Sequence, residues 1–172
     1  MTTTFERTLI IIKPDAVQRG IVGELLTRFE KVGLKMVGMK MLKPDYEQYF
    51  AHYENISKMI SRRGQKAFDV TLEMMMKGPV IAVVLEGGGA AALVRKMAGT
   101  TEPKSAASGT IRGDYAHMSF EYADAEGMGI PNVIHASGDA DEAKQEIAHW
   151  FSESELFDYS STHEHWHRGK KG

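Results

Sequence analysis

Four apolar runs separated by stretches of helical periodicity constrain the fold of this chain more than any other feature of its sequence. The runs cover residues 7–13, 34–42, 80–85 and 133–136. Short apolar runs bounded by proline or glycine predict buried strands. Helical periodicity is found at residues 22–32, 45–53, 61–77, 90–98 and 139–151. The alternation predicts an α/β (α+β) sandwich in which helices cover a small sheet. A ferredoxin-like βαββαβ sandwich with an antiparallel sheet fits this order of elements, although periodicity alone does not fix the order of the strands.

The length and composition of the chain limit its organisation and its partners. With 172 residues, 42% of them hydrophobic, we expect residues 1–172 to form one domain with its own core. A formal net charge of −2 argues against nucleic acid as the main partner. The absence of cysteine excludes disulfides and thiolate zinc sites. No apolar run reaches the length of a membrane span, so we expect a cytoplasmic protein with no membrane partner.

A single histidine stands at the end of the last predicted strand, in the stretch NVIHAS. Small residues follow His135, so a ligand could approach its imidazole, which is a nucleophile near neutral pH. A nucleophilic histidine needs a partner for its second ring nitrogen. Glu146 is the candidate, because its spacing from Ala143 and Trp150 places it beside the apolar stripe of the next helix. The competing interpretation is a histidine with a purely structural hydrogen bond and a solvated glutamate.

Cationic and hydroxyl side chains stand where they could bind phosphate. Lys13 ends the first strand, and Arg95 lies on the helix before residues 99–131, a long segment with little periodicity. Thr101 and Arg112 lie in glycine-containing stretches of that segment. Arginine offers bidentate hydrogen bonds to phosphate and threonine a hydroxyl donor, although each side chain could instead be solvated. Neither a P-loop nor a GxGxxG between strand and helix is present.

The C-terminal stretch HEHWH carries three alternate histidines, His163, His165 and His167. Alternating histidines in an extended chain can bind a metal ion, which makes a metal-binding protein one alternative function. A solvated C-terminal segment is the other interpretation of the same stretch.

The motifs of this chain occur in an order that resembles one protein family. The stretches IKPDAVQRG, HY (residues 52–53), GPVIAVVLEG, GTTEP, GTIRGD, NVIHAS, EIAHWF and FDYSSTHEHW follow one another along nearly the whole length. In these stretches the chain resembles nucleoside diphosphate kinases. The resemblance implies a ferredoxin-like enzyme that transfers the γ-phosphate of a nucleoside triphosphate, typically ATP, to a nucleoside diphosphate. It implies a ping-pong mechanism through a phosphohistidine, which maintains the pools of nucleoside and deoxynucleoside triphosphates.

The resemblance also implies roles for individual residues. His135 would be the phosphorylated nucleophile, and Ser137 and Glu146 would orient it. The residues that would hold the phosphates are Lys13, Tyr53, Arg95, Thr101 and Arg112. Lys13 and Asn132 would also contact the ribose hydroxyls. The implied cofactor is Mg²⁺, bound mainly through nucleotide phosphates with no protein ligand assigned, and the implied assembly is a homo-oligomer, a hexamer or tetramer built from dimers.

Three departures from the family pattern are apparent in the sequence. Insertions are predicted near residues 57–66 and 116–130, and Ser108 replaces a proline usual in the loop before GTIRGD. The second insertion lies close to the nucleotide and could change access to it or the contact between subunits.

The base contacts are a further departure. The family's base-stacking phenylalanine and its apolar partner fall at Ala67 and Thr71, which leaves Phe68 or Ile60 as the candidate replacement.

A ferredoxin-like module that binds nucleic acid or regulates a partner is another alternative function. The net charge of −2 and the lack of an aromatic RNA-binding strand argue against it.

Overall fold

The centre of the structure is a four-stranded antiparallel sheet. This computed structural model describes residues 5–162 and 164–167. The strands are β1 (Phe5–Ile12), β2 (Lys35–Leu42), β3 (Val80–Gly88) and β4 (Ile134–Ala136). Their order is β2-β3-β1-β4, and each pair of neighbours is antiparallel. The expected ferredoxin-like fold is therefore confirmed, and the structure adds the strand order.

Helices flank the sheet and follow the predicted periodic stretches closely. Those before β3 are α1 (Pro14–Gln18), α2 (Val22–Lys31), α3 (Tyr46–Phe50), α4 (Met59–Arg63) and α5 (Gln65–Met75). Those after β3 are α6 (Ala90–Ala98), α7 (Ile111–Tyr115), α8 (Phe120–Ala125), α9 (Ala140–Trp150) and α10 (Glu164–His167). A π-helical turn, Ala51–Ile56, continues α3, and two 3₁₀ turns cover Pro103–Ser105 and Glu153–Glu155.

Two stretches differ from their predicted structure. The single helix predicted for residues 61–77 is divided, because Gly64 has φ +87° and separates α4 from α5. The segment 99–131, predicted to have little regular structure, contains α7 and α8. Both helices are short and begin at a capping side chain, Thr110 for α7 and Ser119 for α8. Caps and tertiary packing, rather than periodicity, stabilise helices this short.

Both faces of the sheet are buried against helices. Leu9 of β1 shares one core cluster with Tyr49 of α3 and Trp150 of α9. Its neighbour Ile10 shares the other cluster with Phe29 of α2. Successive side chains of a strand point to opposite faces, so β1 contributes to both clusters. This burial explains the continuous apolar run, which a sheet with one solvated face would not require.

The C-terminal segment lies along β2. The Phe157 amide donates to the carbonyl of Val37 at 2.7 Å, and Lys35 Nζ donates to the carbonyl of Tyr159. His163 and the side chain of His167 lie outside the described residues, so metal binding by the tail stays a prediction. None of the helices within residues 5–162 and 164–167 combines the length and apolar character needed to cross a membrane.

Candidate active site

A cavity of about 390 Å³ opens beside β4. Seven of the residues singled out in the sequence line it: Lys13, Tyr53, Arg95, Thr101, Arg112, Asn132 and His135. They come from the end of β1, the π-helical turn, α6, the loop after α6, α7, and β4 with the residues just before it. The fold therefore gathers side chains that are far apart in sequence around one space.

His135 lies at the centre of β4, paired with Ile11 of β1, and its ring meets the helix that follows. Its Nε2 is 2.8 Å from Oε1 of Glu146, a carboxylate that is fully buried. Ser137 Oγ donates to the second oxygen, Oε2, at 2.5 Å. Asp139 fixes the start of α9 by accepting hydrogen bonds from two backbone amides of the first turn. The strand and the capped helix thus hold the imidazole against the carboxylate.

The protonation of this pair follows from its surroundings. Burial alone would raise the pKa of Glu146, but the charge and hydrogen bond of His135, together with Ser137, lower it to about 2. The carboxylate is therefore ionised at neutral pH and accepts a hydrogen bond from Nε2–H of His135. In a neutral imidazole the other nitrogen, Nδ1, then carries a free lone pair. Since Nε2 faces the buried carboxylate, Nδ1 is the nitrogen left to react with a ligand.

Two aromatic neighbours complete the setting of His135, and sequence reasoning assigned a role to only one of them. The ring centroid of His52 is 4.6 Å from that of His135, and His52 Nδ1 accepts a hydrogen bond from Trp150 Nε1. Burial lowers the pKa of His52 well below its ordinary value, so His52 is neutral. Its position directly before Tyr53 in the motif HY was the only sequence signal for it. The Tyr53 hydroxyl is buried with no hydrogen-bond partner among the described residues, so it can donate to a ligand in the cavity.

A chain of hydrogen bonds joins the first strand to the loop after α6. Lys13 Nζ donates to Oδ1 of Asn132 at 2.6 Å, and Asn132 Nδ2 donates to the carbonyl of Thr101 at 2.8 Å. Burial and the charge of Arg112 lower the pKa of Lys13 to about 8. A bound anion would favour its charged form.

Arg112 lines the cavity with its positive charge and also joins separate backbone segments by hydrogen bonds. It is 4% exposed, and its guanidinium donates to the carbonyls of Gly99, Asn132 and Ile134. Burial and the neighbouring Arg95 lower its pKa to about 10, so it stays charged at neutral pH. Three of its five N–H groups are used in these bonds, which leaves donors for a ligand. Arg95, by contrast, is exposed on the last turn of α6.

The backbone between Asn132 and β4 has an unusual conformation. Val133 has φ +61°, in the left-handed region that β-branched residues rarely adopt. The Asp15 carboxylate accepts the Val133 amide at 3.1 Å, and the Val133 carbonyl accepts the amide of Lys13 at 2.9 Å. These two bonds hold the strained residue in place.

The two residues suggested as base contacts are not at the cavity. Phe68 is 1% exposed and packs edge-on against Phe50 with ring centroids 5.7 Å apart. Ile60 packs against the same core cluster. Phe68 lies on the buried face of α5, whereas Ala67 and Thr71 lie on the face that lines the cavity. The proposed role of Phe68 is therefore wrong for this conformation of the helix.

The cavity suits an anion rather than a bare metal ion. Within residues 5–162 and 164–167, the one group of three side chains with metal-ligand spacing is His52, His135 and Glu146. Their facing atoms already hydrogen-bond to one another or to Trp150. Mg²⁺ prefers oxygen ligands and keeps several waters, so this group does not match it. The cationic lining fits phosphates that carry their own Mg²⁺.

Comparison with known proteins identifies the family. The family model described as nucleoside diphosphate kinase matches residues 6–156. A nucleoside diphosphate kinase of Pyrococcus furiosus is 46% identical over 166 residues, covering 96% of this chain and 95% of that protein. The structure resembles a transition-state mimic of the Borrelia burgdorferi enzyme with bound vanadate and ADP, with TM-score 0.91, 40% identity and coverage of 95% and 96%. It also resembles the Halobacterium salinarum enzyme in complex with CDP, with TM-score 0.80, 38% identity and coverage of 95% and 98%. The chain belongs to the nucleoside diphosphate kinase family.

Proposed function

We propose that this chain transfers the γ-phosphate of a nucleoside triphosphate to a nucleoside diphosphate by a ping-pong mechanism through a phosphohistidine on His135. The observation that carries the proposal is the pairing of His135 Nε2 with the buried carboxylate of Glu146. This pairing leaves Nδ1 as a nucleophile beside a cavity lined by Lys13, Arg95 and Arg112. A positioned nucleophile next to fixed positive charge is what phosphoryl transfer requires.

The reaction divides into two half-steps. In the first, the Nδ1 lone pair of His135 attacks the γ-phosphorus, an N–P bond forms, and the bond from phosphorus to the β–γ bridging oxygen breaks. The nucleoside diphosphate leaves with that electron pair. In the second, a terminal phosphate oxygen of another diphosphate attacks the same phosphorus and the N–P bond breaks, which restores the imidazole. The Glu146 carboxylate stabilises the positive charge that the ring carries while Nδ1 is phosphorylated.

The remaining side chains position the phosphates. Lys13, Arg95 and Arg112 offset their negative charge, while the Thr101 and Tyr53 hydroxyls are donors at the same cavity. Asn132, held by Lys13, supplies polar groups for the ribose hydroxyls. As part of the nucleotide substrate, Mg²⁺ would supply further positive charge to offset that of the phosphates. The two solved relatives have ADP with vanadate and CDP bound, which supports a nucleotide as the ligand of this cavity.

Three broader expectations accompany the proposal. The chain acts as one domain, residues 1–172, with insertions near residues 57–66 and 116–130. It assembles as a homo-oligomer, a hexamer or a tetramer built from dimers. A cytoplasmic location stays a prediction from the sequence.

Labelling with [γ-³²P]ATP and Mg²⁺ tests the mechanism. The protein should take up acid-labile phosphate on His135 and lose it when GDP, CDP or UDP is added. The His135→Gln variant should show neither labelling nor transfer. His149→Gln is the matched control, because His149 lies on α9 and bonds to the carbonyl of Gln48, away from the cavity. Full transfer by His135→Gln, or stable label on another residue, would refute the mechanism.

A further inference from the structure

One end of the cavity is apolar and is formed by two elements. Val70 and Met74 of α5 stand on one side, and Phe120 and Met128 of the 116–130 segment stand on the other. A second cavity, of about 520 Å³, shares Val70, Phe120 and Met128 with the first but is not lined by His135. The shared residues therefore lie at the end of the site that is remote from the nucleophile.

Phe120 is held at this end by its backbone. It is the first residue of α8, and its amide donates to Oε1 of Glu102 at 2.9 Å. The preceding residue, Ser119, caps the helix, and the carbonyl of Met118 accepts the amide of Lys104. The bonds from Phe120 to Glu102 and from Lys104 to Met118 connect the 116–130 segment to the loop that carries Thr101. The backbone of Phe120 thus keeps a fixed position relative to that loop.

The far end of the same segment is fitted against α5. A Cβ atom built on Gly129 would lie 2.5 Å from the carbonyl oxygen of Val70 and 3.0 Å from Cβ of Met74. Only glycine permits this approach. Since the segment is hydrogen-bonded to the loop at one end and packed closely against α5 at the other, its apolar side chains form a defined wall.

Phe120 is the aromatic ring at this wall. Of the aromatic side chains that line the cavity within the described residues, Tyr53 and His135 lie together, with ring centroids 6.5 Å apart. Phe120 lies apart from them, and the guanidinium of Arg63 is 5.5 Å from its ring centroid. A position that already receives one flat cationic group can receive the flat face of a nucleoside base.

We propose that the base of the nucleotide stacks on Phe120, so that the 116–130 segment determines the affinity for the base. This inference rests on the proposed function, because it assumes that the phosphates lie at His135. Phe120 and its apolar neighbours Val70 and Met128 contact the faces of a base and not its edge, so purines and pyrimidines bind alike.

Binding and turnover of matched ligands test the inference. Phe120→Ala is compared with Phe120→Tyr, which keeps the ring, and with Tyr122→Ala, which removes an exposed ring of α8 that does not line the cavity. Calorimetry gives the affinity for ADP and for ribose 5-diphosphate, which lacks a base. Kinetics of His135 phosphorylation give KM for ATP and for ribose 5-triphosphate. Phe120→Ala should weaken ADP binding and raise KM for ATP about tenfold, the order of one base–aromatic stack.

The comparison with base-free ligands makes the test decisive. Phe120→Ala should leave the affinity for ribose 5-diphosphate unchanged, and Phe120→Tyr and Tyr122→Ala should behave as the unaltered chain. An equal loss for both ligands, or no loss for ADP, would overturn the role of Phe120. If the unaltered chain binds ADP in a Phe120-dependent manner but forms no phosphohistidine, the proposed function fails while the base contact stands.

Discussion

His135 and Glu146 are joined by a hydrogen bond of 2.8 Å between Nε2 and Oε1, and the carboxylate has no exposure to solvent. The relationship assigns the two ring nitrogens to different tasks. Nε2 is used for orientation, while Nδ1 is free to react. An ionised carboxylate also favours any state in which the imidazole carries positive charge.

Replacing Glu146 by glutamine should lower kcat about 10²-fold, because a neutral amide cannot stabilise the phosphorylated, positively charged ring. KM for ATP should change little, since Glu146 does not line the cavity. Steady-state kinetics and the rate of His135 labelling measure both effects. Asp141→Asn, which alters an exposed carboxylate on the same helix, serves as the control. An unchanged kcat in Glu146→Gln would contradict the role of the carboxylate.

Removing the Ser137 hydroxyl should destabilise the fold as well as the site. Ser137 Oγ donates to Glu146 and accepts the Leu9 amide, and Ser137 is fully buried. Ser137→Ala leaves both partners unsatisfied, which should lower the free energy of unfolding by about 1–3 kcal/mol. Urea unfolding measures the loss, and Ser160→Ala, at an exposed position, is the control. Equal stability of the two variants would show that the bond is dispensable.

The lowered pKa of Lys13 should appear in the pH profile of the enzyme. Because the pKa is about 8 instead of 10.5, the charge of Lys13 is lost as the pH rises through 8, and kcat/KM should fall there. Bound phosphate favours the charged form, so the corresponding fall of kcat should occur at higher pH. Lys13→Met should have low activity without this alkaline limb, whereas Lys144→Met, at an exposed site on α9, should retain it.

The same group contributes to stability with a defined sign. Between pH 8 and 10.5 the unfolded chain holds more protons on Lys13 than the folded chain does. Its contribution to the free energy of unfolding therefore rises with pH across this window. Denaturant unfolding of Lys13→Met and the unaltered chain at pH 7 and pH 10 should reveal the difference; parallel changes in the two proteins would argue against the shift.

A methyl group at position 129 should push the 116–130 segment away from α5. The close approach of Gly129 to the Val70 carbonyl leaves no room for Cβ, and overpacking of this kind costs about 1–3 kcal/mol. Gly129→Ala should therefore lower the thermal midpoint and weaken ADP binding. Gly23→Ala, where a Cβ meets no atom within 4 Å, is the control and should not weaken binding. Normal ADP affinity in Gly129→Ala would show that the wall tolerates the shift.

The strands could be predicted from the sequence because their burial on both faces produces continuous apolar runs. The position of the apolar wall formed by the 116–130 segment could not be predicted from the sequence. α8 has six residues and no periodic stripe, so its position depends on the Ser119 cap and on contact with distant α5. The motif order predicted which side chains meet at the cavity, since the resemblance carried them residue by residue.

Phe68 and His52 show what the sequence pattern does not predict. The ring of Phe68 and its place next to Ala67 predict a base contact, but Phe68 lies on the buried face of α5 and packs in the core. His52 carries no motif of its own beyond its neighbour Tyr53, and its contact with His135 depends on the π-helical turn that holds both residues. Such orientations depend on tertiary packing, which periodicity does not describe.

The left-handed backbone conformation of Val133 determines which side of the sheet the residue before it faces. In an unbroken strand, residues 132 and 135 are an odd number of positions apart and would face opposite sides of the sheet. Both Asn132 and His135 nevertheless line the same cavity. The positive φ of Val133 interrupts the strand alternation, so the amide of Asn132 and the imidazole of His135 face the same cavity. The proposed ribose contact and the proposed nucleophile can therefore be encoded within four consecutive residues.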